Sequence, residues 1–365
     1  MSPKTSSETE SRDSERFRRA TGFWIPIPES PPGEDALLLR DYQPREQIVA
    51  AHHTPQRAKF PAINFHCHFR DQDPARLVAE MDECGVKAAV NMGVGTGWTF
   101  DEMRDRFVKP YPDRFMLFAS ISWGEVLAHK DFGAKAAEAF ERAATKGARG
   151  LKLWKNLGLT VRLPDGGLLA IDDPRLDPLY AKAQELDLPV CFHTVDPPAF
   201  HWPLDRHNPC YLQLVNRPHW HFHGPQFPDR DTPLEQRNRA IERFPGVTFI
   251  GAHFGSDSTN LPRLERLLER FPNFHVDLSA RIRYLGRQPY SARRFFLRFA
   301  DRVLFGTDGA PTASQSRPYY QFLETQDECF RQRPEQWDYL YGIHLPDDVL
   351  EKVYYQNAAR ILKIA

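Results

Sequence analysis

The stretch PAINFHCH, residues 61–68, joins a short apolar run to two histidines spaced two apart. Such a run, opened by proline and closed by polar side chains, reads as a β-strand. Alternation puts residues two apart on one face, so His66 and His68 project together from its C-terminal end, and Cys67 projects the opposite way into packing. Runs of similar texture follow at KAAVNM (87–92), RFMLFASIS (114–122), RGLKLW (149–154), LPVCFH (188–193), VTFIGAH (247–253), NFHVDLS (273–279) and RVLFGTD (302–308). Amphipathic segments separate them, among them DPARLVAEMDECG, AKAAEAFERAATKG and NLPRLERLLERFPN, several opened by Asp or Pro and closed by Gly or Asn. Eight strand-then-helix units over about 260 residues predict an α/β fold, a (β/α)₈ barrel of the usual ~250 residues. An open doubly wound sheet fits less well, because no G-x-G-x-x-G follows the first strand. GVGTG at 93–97 reads as a glycine-rich turn.

Outward from the strands, residues 1–20 mix Ser, Thr and both charge signs and read as a flexible tail. Residues 21–58 form a proline-rich N-terminal extension, 59–328 the barrel, and 329–365 an aromatic insertion followed by a packing helix that includes QNAARIL (356–362). Lys+Arg and Asp+Glu both number 48 in 365 residues, so no positive excess exists to neutralise nucleic acid or an anionic membrane. No stretch approaches the ~18 apolar residues of a membrane span. The five cysteines are without tight spacing and the N-terminus lacks an apolar signal core, from which a cytoplasmic protein with reduced thiols is expected. The longest connection, from Val195 to about Thr232, follows the fifth strand and carries His201, His207, His219, His221 and His223; its length suits a lid or binding loop.

The ionisable residues fall where such a barrel assembles its chemistry, at the C-terminal ends of strands. His66 and His68 end the first strand, His193 the fifth, His253 the sixth and Asp308 the eighth. Imidazole and carboxylate donors converging at one mouth suit a divalent metal: Zn²⁺ first, with Mn²⁺ and Fe²⁺ as alternatives. Lys152 ends the fourth strand and Asp277 the seventh; Asp277 would orient an arginine or a ligand histidine, or serve a purely structural hydrogen bond.

In that order and spacing, H-x-H, His193 in PVCFH, His253 in FIGAHFG, Asp308 in LFGTD and the terminal QNAARIL resemble the amidohydrolase superfamily. The likeness spans about residues 60–363 and is nearest the metal-dependent branch that includes aminocarboxymuconate semialdehyde decarboxylase. The resemblance implies that His66, His68, His193 and Asp308 hold one metal. It further implies that His253 contacts the metal-bound water or the substrate, and that Asp308 is both ligand and proton carrier. Lys152 stays open between three roles: a carbamylated bridge in a binuclear site, a substrate contact in the favoured mononuclear site, or a lysine reaching solvent.

Arg70, Arg281 and Arg283 are candidates to pair with a substrate carboxylate, and Trp98, Trp123 and Trp154 to line a cleft for a planar ring, with surface pairing and loop packing as the ordinary alternatives. His201 and His207 are lid candidates. The H-x-H at 219–221 lacks strand context. A metal-dependent hydrolase acting on a small amide, ester or lactone is the leading expectation. A nonoxidative decarboxylase with the same ligands is the alternative, and a non-catalytic metabolite-binding barrel the third reading. The expected partner is a small molecule, with a homo-oligomer left open.

Overall fold

Eight parallel strands follow one another around a closed sheet: β1 (Ala62–Cys67), β2 (Val86–Asn91), β3 (Phe115–Leu117, resuming at Ala119–Ser120), β4 (Leu151–Leu153), β5 (Val190–Phe192), β6 (Phe249–Gly251), β7 (Phe274–Asp277) and β8 (Val303–Leu304). Each pairs with its sequence neighbour. Closure comes from the chain leaving β8: the Phe65 N–H donates to Phe305 O at 2.9 Å, and the Thr307 and Asp308 N–H groups to His66 O at 3.1 and 2.8 Å. The expected (β/α)₈ barrel is therefore present. The computed structural model describes residues 47–93, 98–333 and 338–364. The expected tail 1–20, most of the 21–58 extension, four residues of the GVGTG turn and residues 334–337 of the insertion lie outside them.

The helices follow local signals. In α1 (Pro74–Cys84), Asp73 caps the Arg76 N–H, Pro74 begins the first turn, and Gly85 ends the helix at φ 83°. Its buried face is Leu77, Met81 and Cys84. The other long helices are α2 (Phe132–Thr145), α3 (Asp177–Glu185), α4 (Asp231–Arg243), α5 (Leu261–Arg270), α6 (Pro289–Arg298) and α7 (Ala313–Glu324), followed by the short terminal α8 (Asn357–Leu362). Between helices and strands runs one apolar layer that includes Cys67, Leu77, Leu264 and Phe295. Cys67 thus packs outward as its register demands, and burial raises its thiol well above the ordinary range.

A second core fills the barrel interior, where Ile63, Phe65, Val90, Phe118 and Ile250 meet Ala358, Ile361 and Leu362 of α8. The terminal helix therefore plugs the end of the barrel opposite the strand C-termini. Asn357 pins it with amide bonds to Ala300 O and Val303 O at 2.7 and 2.9 Å.

The long connection after β5 is shorter of irregular backbone than its composition suggests. Helical turns at Pro198–His201, Tyr211–Asn216 and Pro218–Trp220 give it a small core of Ala199, Phe200, Cys210 and Leu214. The insertion closes through an antiparallel bridge between Phe330 and Leu340. No helix among the described residues is long and apolar enough to cross a membrane.

Candidate metal centre and cavity

His66 and His68 reach the barrel mouth from β1, where one extra residue lies between Asn64 and Cys67 relative to Ala89 and Asn91 of β2. Such a bulge re-aims side chains locally. His66 Nε2 and His68 Nε2 stand 3.3 and 3.2 Å from Asp308 Oδ1, and the three groups lie close enough to share one ion. Asp308 itself has φ 70°, held there by its N–H bond to His66 O. Burial raises its carboxyl, but the imidazoles of His253, His66 and His68 outweigh that and hold it well below the usual carboxylate range.

Asp277 resolves its two expected roles in favour of the histidine. Its Oδ2 accepts from His66 Nδ1 at 2.7 Å, both side chains being fully buried. The other oxygen accepts from the His253 N–H at 2.9 Å, the Ser279 N–H at 3.1 Å and the Ser279 hydroxyl. Fixing Nδ1–H leaves the His66 Nε2 lone pair for a metal. His253 is set the same way: its Nδ1 faces Ser279 O at 3.1 Å, which frees Nε2.

His193 stands at the strand end as expected, its N–H bonded to Leu153 O of β4 at 2.9 Å, whereas His253 does not end a strand. His193 follows β5, and His253 lies in a turn after β6 in which His253, Phe254, Gly255 and Ser256 have φ of 57, 58, 60 and 64°. The left-handed region costs L-residues with side chains roughly 1–2 kcal/mol each, so this turn is strained and persists only under restraint. A Cβ on Gly251 would stand 2.6 Å from Gly255 Cα, so the turn also demands glycine there. The His193 and His253 rings meet edge to face at 4.3 Å. Burial pushes His193 down to about 4 and, with the nearby His193, carries His253 well below its ordinary value. Both are neutral at pH 7, the state in which His193 can hold a metal and His253 can accept a hydrogen bond.

A cavity of about 680 Å³ opens over this cluster. His68, His193, His253 and Asp308 line it together with Trp154 and Arg281. Trp154 stacks on His68 at 5.5 Å and donates to Ser120 Oγ. Arg281 is 7% exposed, donates to Ala280 O, and has no carboxylate partner among the described residues. Arg283 also lines the cavity but is tied to Asp338. His193 Nε2 is buried without a hydrogen-bond partner among the described residues, although Asp196 Oδ1 lies 3.4 Å away in poor alignment.

Other expected contacts fall elsewhere. Arg70 is exposed beside Asp71, 3.7 Å away, and is not on the cavity wall, because the chain turns outward after His68. Trp123 is buried in the outer layer, and Trp98 packs against it. Lys152 does not reach solvent: it is fully buried behind His66, with Nζ 3.4 Å from His66 Nε2 and 3.8 Å from Cys191 Sγ, and is not on the cavity wall. His201 is also off the wall; both its ring nitrogens are buried without partners, and burial pushes it down to about 4. His221 and His223 spend a nitrogen each on Trp202 O and His201 O. Sequence reading passed over Ser279 and Asp196, which carry no motif; two and three residues beyond Asp277 and His193, they were within reach of the strand-end argument.

The family model described as amidohydrolase matches residues 63–364. Among curated proteins none matches the chain. Solved structures share the fold at low identity. A putative amidohydrolase from Staphylococcus aureus is 17% identical with a TM-score of 0.55, covering 84% of this chain and 100% of its own. A 2,6-dihydroxybenzoate decarboxylase complexed with 2,6-dihydroxybenzoate is 16% identical, with a TM-score of 0.52 and coverage of 84% and 100%. A dihydroxybenzoic acid decarboxylase from Polaromonas sp., with bound manganese and 2-nitroresorcinol, is 16% identical, with a TM-score of 0.53 and coverage of 83% and 97%. With its profile match over most of its length, its barrel and its cluster of metal-competent side chains, this chain is a member of the amidohydrolase family, an enzyme built to work with a divalent metal.

Proposed function

We propose that the protein is a metal-dependent, nonoxidative decarboxylase of a hydroxylated aromatic acid. The observation that carries the reading is one cavity that opens over the His66, His68 and Asp308 cluster and is lined by buried Arg281, without a carboxylate partner among the described residues, and by an aromatic wall that includes Trp154, Phe200 and Trp220. A guanidinium suits a carboxylate, and the ring faces suit a planar acid. The decarboxylases of the same fold add support. A hydrolase would use the same ligands, but nothing about it calls for Arg281 and that wall.

We assign His66, His68, His193 and Asp308 to one divalent ion. The unpartnered His193 Nε2 and the neutral imidazoles suit this, and imidazole with carboxylate accepts Mn²⁺, Zn²⁺ or Fe²⁺. Mn²⁺ is placed first on the manganese bound by the Polaromonas enzyme. When bound there, the ion would supply Lewis-acid polarisation of a substrate oxygen. Asp308 takes the proton of the ring hydroxyl and returns it to the ring carbon bearing the carboxylate. The bond from that carbon to the carboxylate then breaks, its electron pair restores the aromatic ring, and CO₂ leaves. His253 accepts at Nε2 from a second hydroxyl of the substrate, and Arg281 orients the carboxylate.

The test is CO₂ release from a panel of hydroxybenzoates by Mn²⁺- and Zn²⁺-loaded protein, beside hydrolysis of amides, esters and lactones, with Asp308→Ala as blank. Release abolished in the blank is expected. Ester or lactone hydrolysis lost in the blank, without CO₂ from any acid, would return the hydrolase reading.

A further inference from the structure

Two active-site histidines precede segments that a single side chain joins. Arg230, at the end of the long connection and immediately before α4, donates Nε–H to Asp196 O at 3.0 Å and a terminal N–H to Ser256 O. Asp196 lies three residues after His193, and Ser256 three residues after His253. The guanidinium therefore spans the exits of β5 and β6 at the same distance along the chain from each imidazole. A backbone-to-side-chain bond runs beside it, from the Val195 N–H to Ser256 Oγ at 3.3 Å. Arg237, about two helical turns further along α4, donates to Gly255 O at 2.7 Å, so the strained turn of His253 has two consecutive carbonyls held by guanidinium groups. Arg230 is only 11% exposed, stands 3.9 Å from buried Asp257, and does not line the cavity. It touches neither substrate space nor the metal-competent atoms.

We infer that Arg230 is a positioning residue that sets the separation of His193 and His253, by fastening the two turns that follow them. The fork geometry is what the role requires: two N–H groups of one rigid plane reach two carbonyls on different segments, which an ammonium on a flexible stem cannot reproduce. A left-handed turn without that restraint relaxes toward ordinary backbone conformations and takes His253 with it. The inference rests on the metal assignment of His193 only for its metal readout; the exchange readout below stands apart from it.

The experiment uses the full chain with Arg230→Lys and Arg230→Met, and Mn²⁺ and Zn²⁺ as probes. Amide hydrogen exchange of peptides covering 193–200 and 252–258 is expected to rise together in both variants. Metal affinity, by competition with a chromophoric chelator, should fall roughly tenfold, the lower end of what an outer partner of a ligand contributes. Arg230→Ala with millimolar methylguanidinium should recover part of both, which a general loss of packing would not allow. Exchange rising in one segment alone, or unchanged in both with circular dichroism intact, would overturn the inference, as would a rise that methylguanidinium leaves untouched. His193→Ala is run beside it: parental metal affinity there would refute the ligand assignment, while the paired exchange still decides the role of Arg230.

Discussion

Asp277→Asn isolates one atom of the metal centre. The parent carboxylate accepts four hydrogen bonds, and only one of them, from His66 Nδ1 at 2.7 Å, concerns the metal side. An asparagine oxygen can still accept from the His253 and Ser279 N–H groups, so the turn after β6 keeps its anchor. The amide nitrogen then faces His66 and is a donor. His66 Nδ1 must become an acceptor, the ring proton moves to Nε2, and the lone pair that faces Asp308 is lost. Removing a metal ligand's outer partner typically weakens binding 10–100-fold, and forcing the wrong tautomer belongs at the upper end. At about 1.4 kcal/mol per tenfold, that is roughly 3 kcal/mol. Competition against a chromophoric chelator at pH 7.5, with Mn²⁺ and with Zn²⁺, reads it directly, and circular dichroism and the melting temperature report on the fold. Affinity within threefold of the parent in a folded variant would refute the tautomer argument and remove His66 Nε2 from the ligand set.

His193→Ala should abolish metal binding, whereas His253→Ala should keep it and lower turnover by ~10²–10⁴, the range of a lost acid–base or hydrogen-bonding group; equal losses of metal in both would make His253 a ligand. Leu362→Ala, at the plug of the barrel, should cost about 2–5 kcal/mol, measured by urea unfolding; a loss under 1 kcal/mol would mean that α8 does not close the core. His275 is buried in β7, with burial and then Arg302 and Arg360 pushing it down to about 3. It is neutral in the folded chain where the unfolded chain, at ~6.5, takes a proton. Stability should therefore fall with pH from 6.5 toward 3 by up to ~1.4 kcal/mol per unit from this residue, and His275→Gln should flatten that slope. Arg281→Met should raise KM for the aromatic acid well above its effect on kcat; parental KM would remove Arg281 from carboxylate binding.

What could be read from the sequence divides along the range of the interactions involved. Strands, helix caps and the direction of Cys67 follow from neighbours a few residues apart, and those expectations match the barrel. The grouping of His66, His68 and Asp308 was also legible, because parallel strands bring their C-terminal ends to one mouth whatever the details. His253 was placed at the right end for an incomplete reason: the run VTFIGAH puts it at a strand end, while a left-handed turn, which needs Gly251 and is held by the Arg237 guanidinium from α4, actually presents it. The fate of Lys152 was not readable at all. A lysine at a strand end reaches solvent unless a neighbouring strand covers it, and here His66 and Cys191, 86 and 39 residues away in the chain, do so. Asp277 and Arg230 share that limit, since each is defined by partners on segments distant in the chain. The chemistry is harder still to read. Hydrolysis and decarboxylation call on the same imidazoles and the same carboxylate, so the ligand set carries no information on the choice between them. That information resides in what faces the ligands across the cavity, where Arg281 has no carboxylate partner among the described residues and a carboxylate of the substrate would supply one.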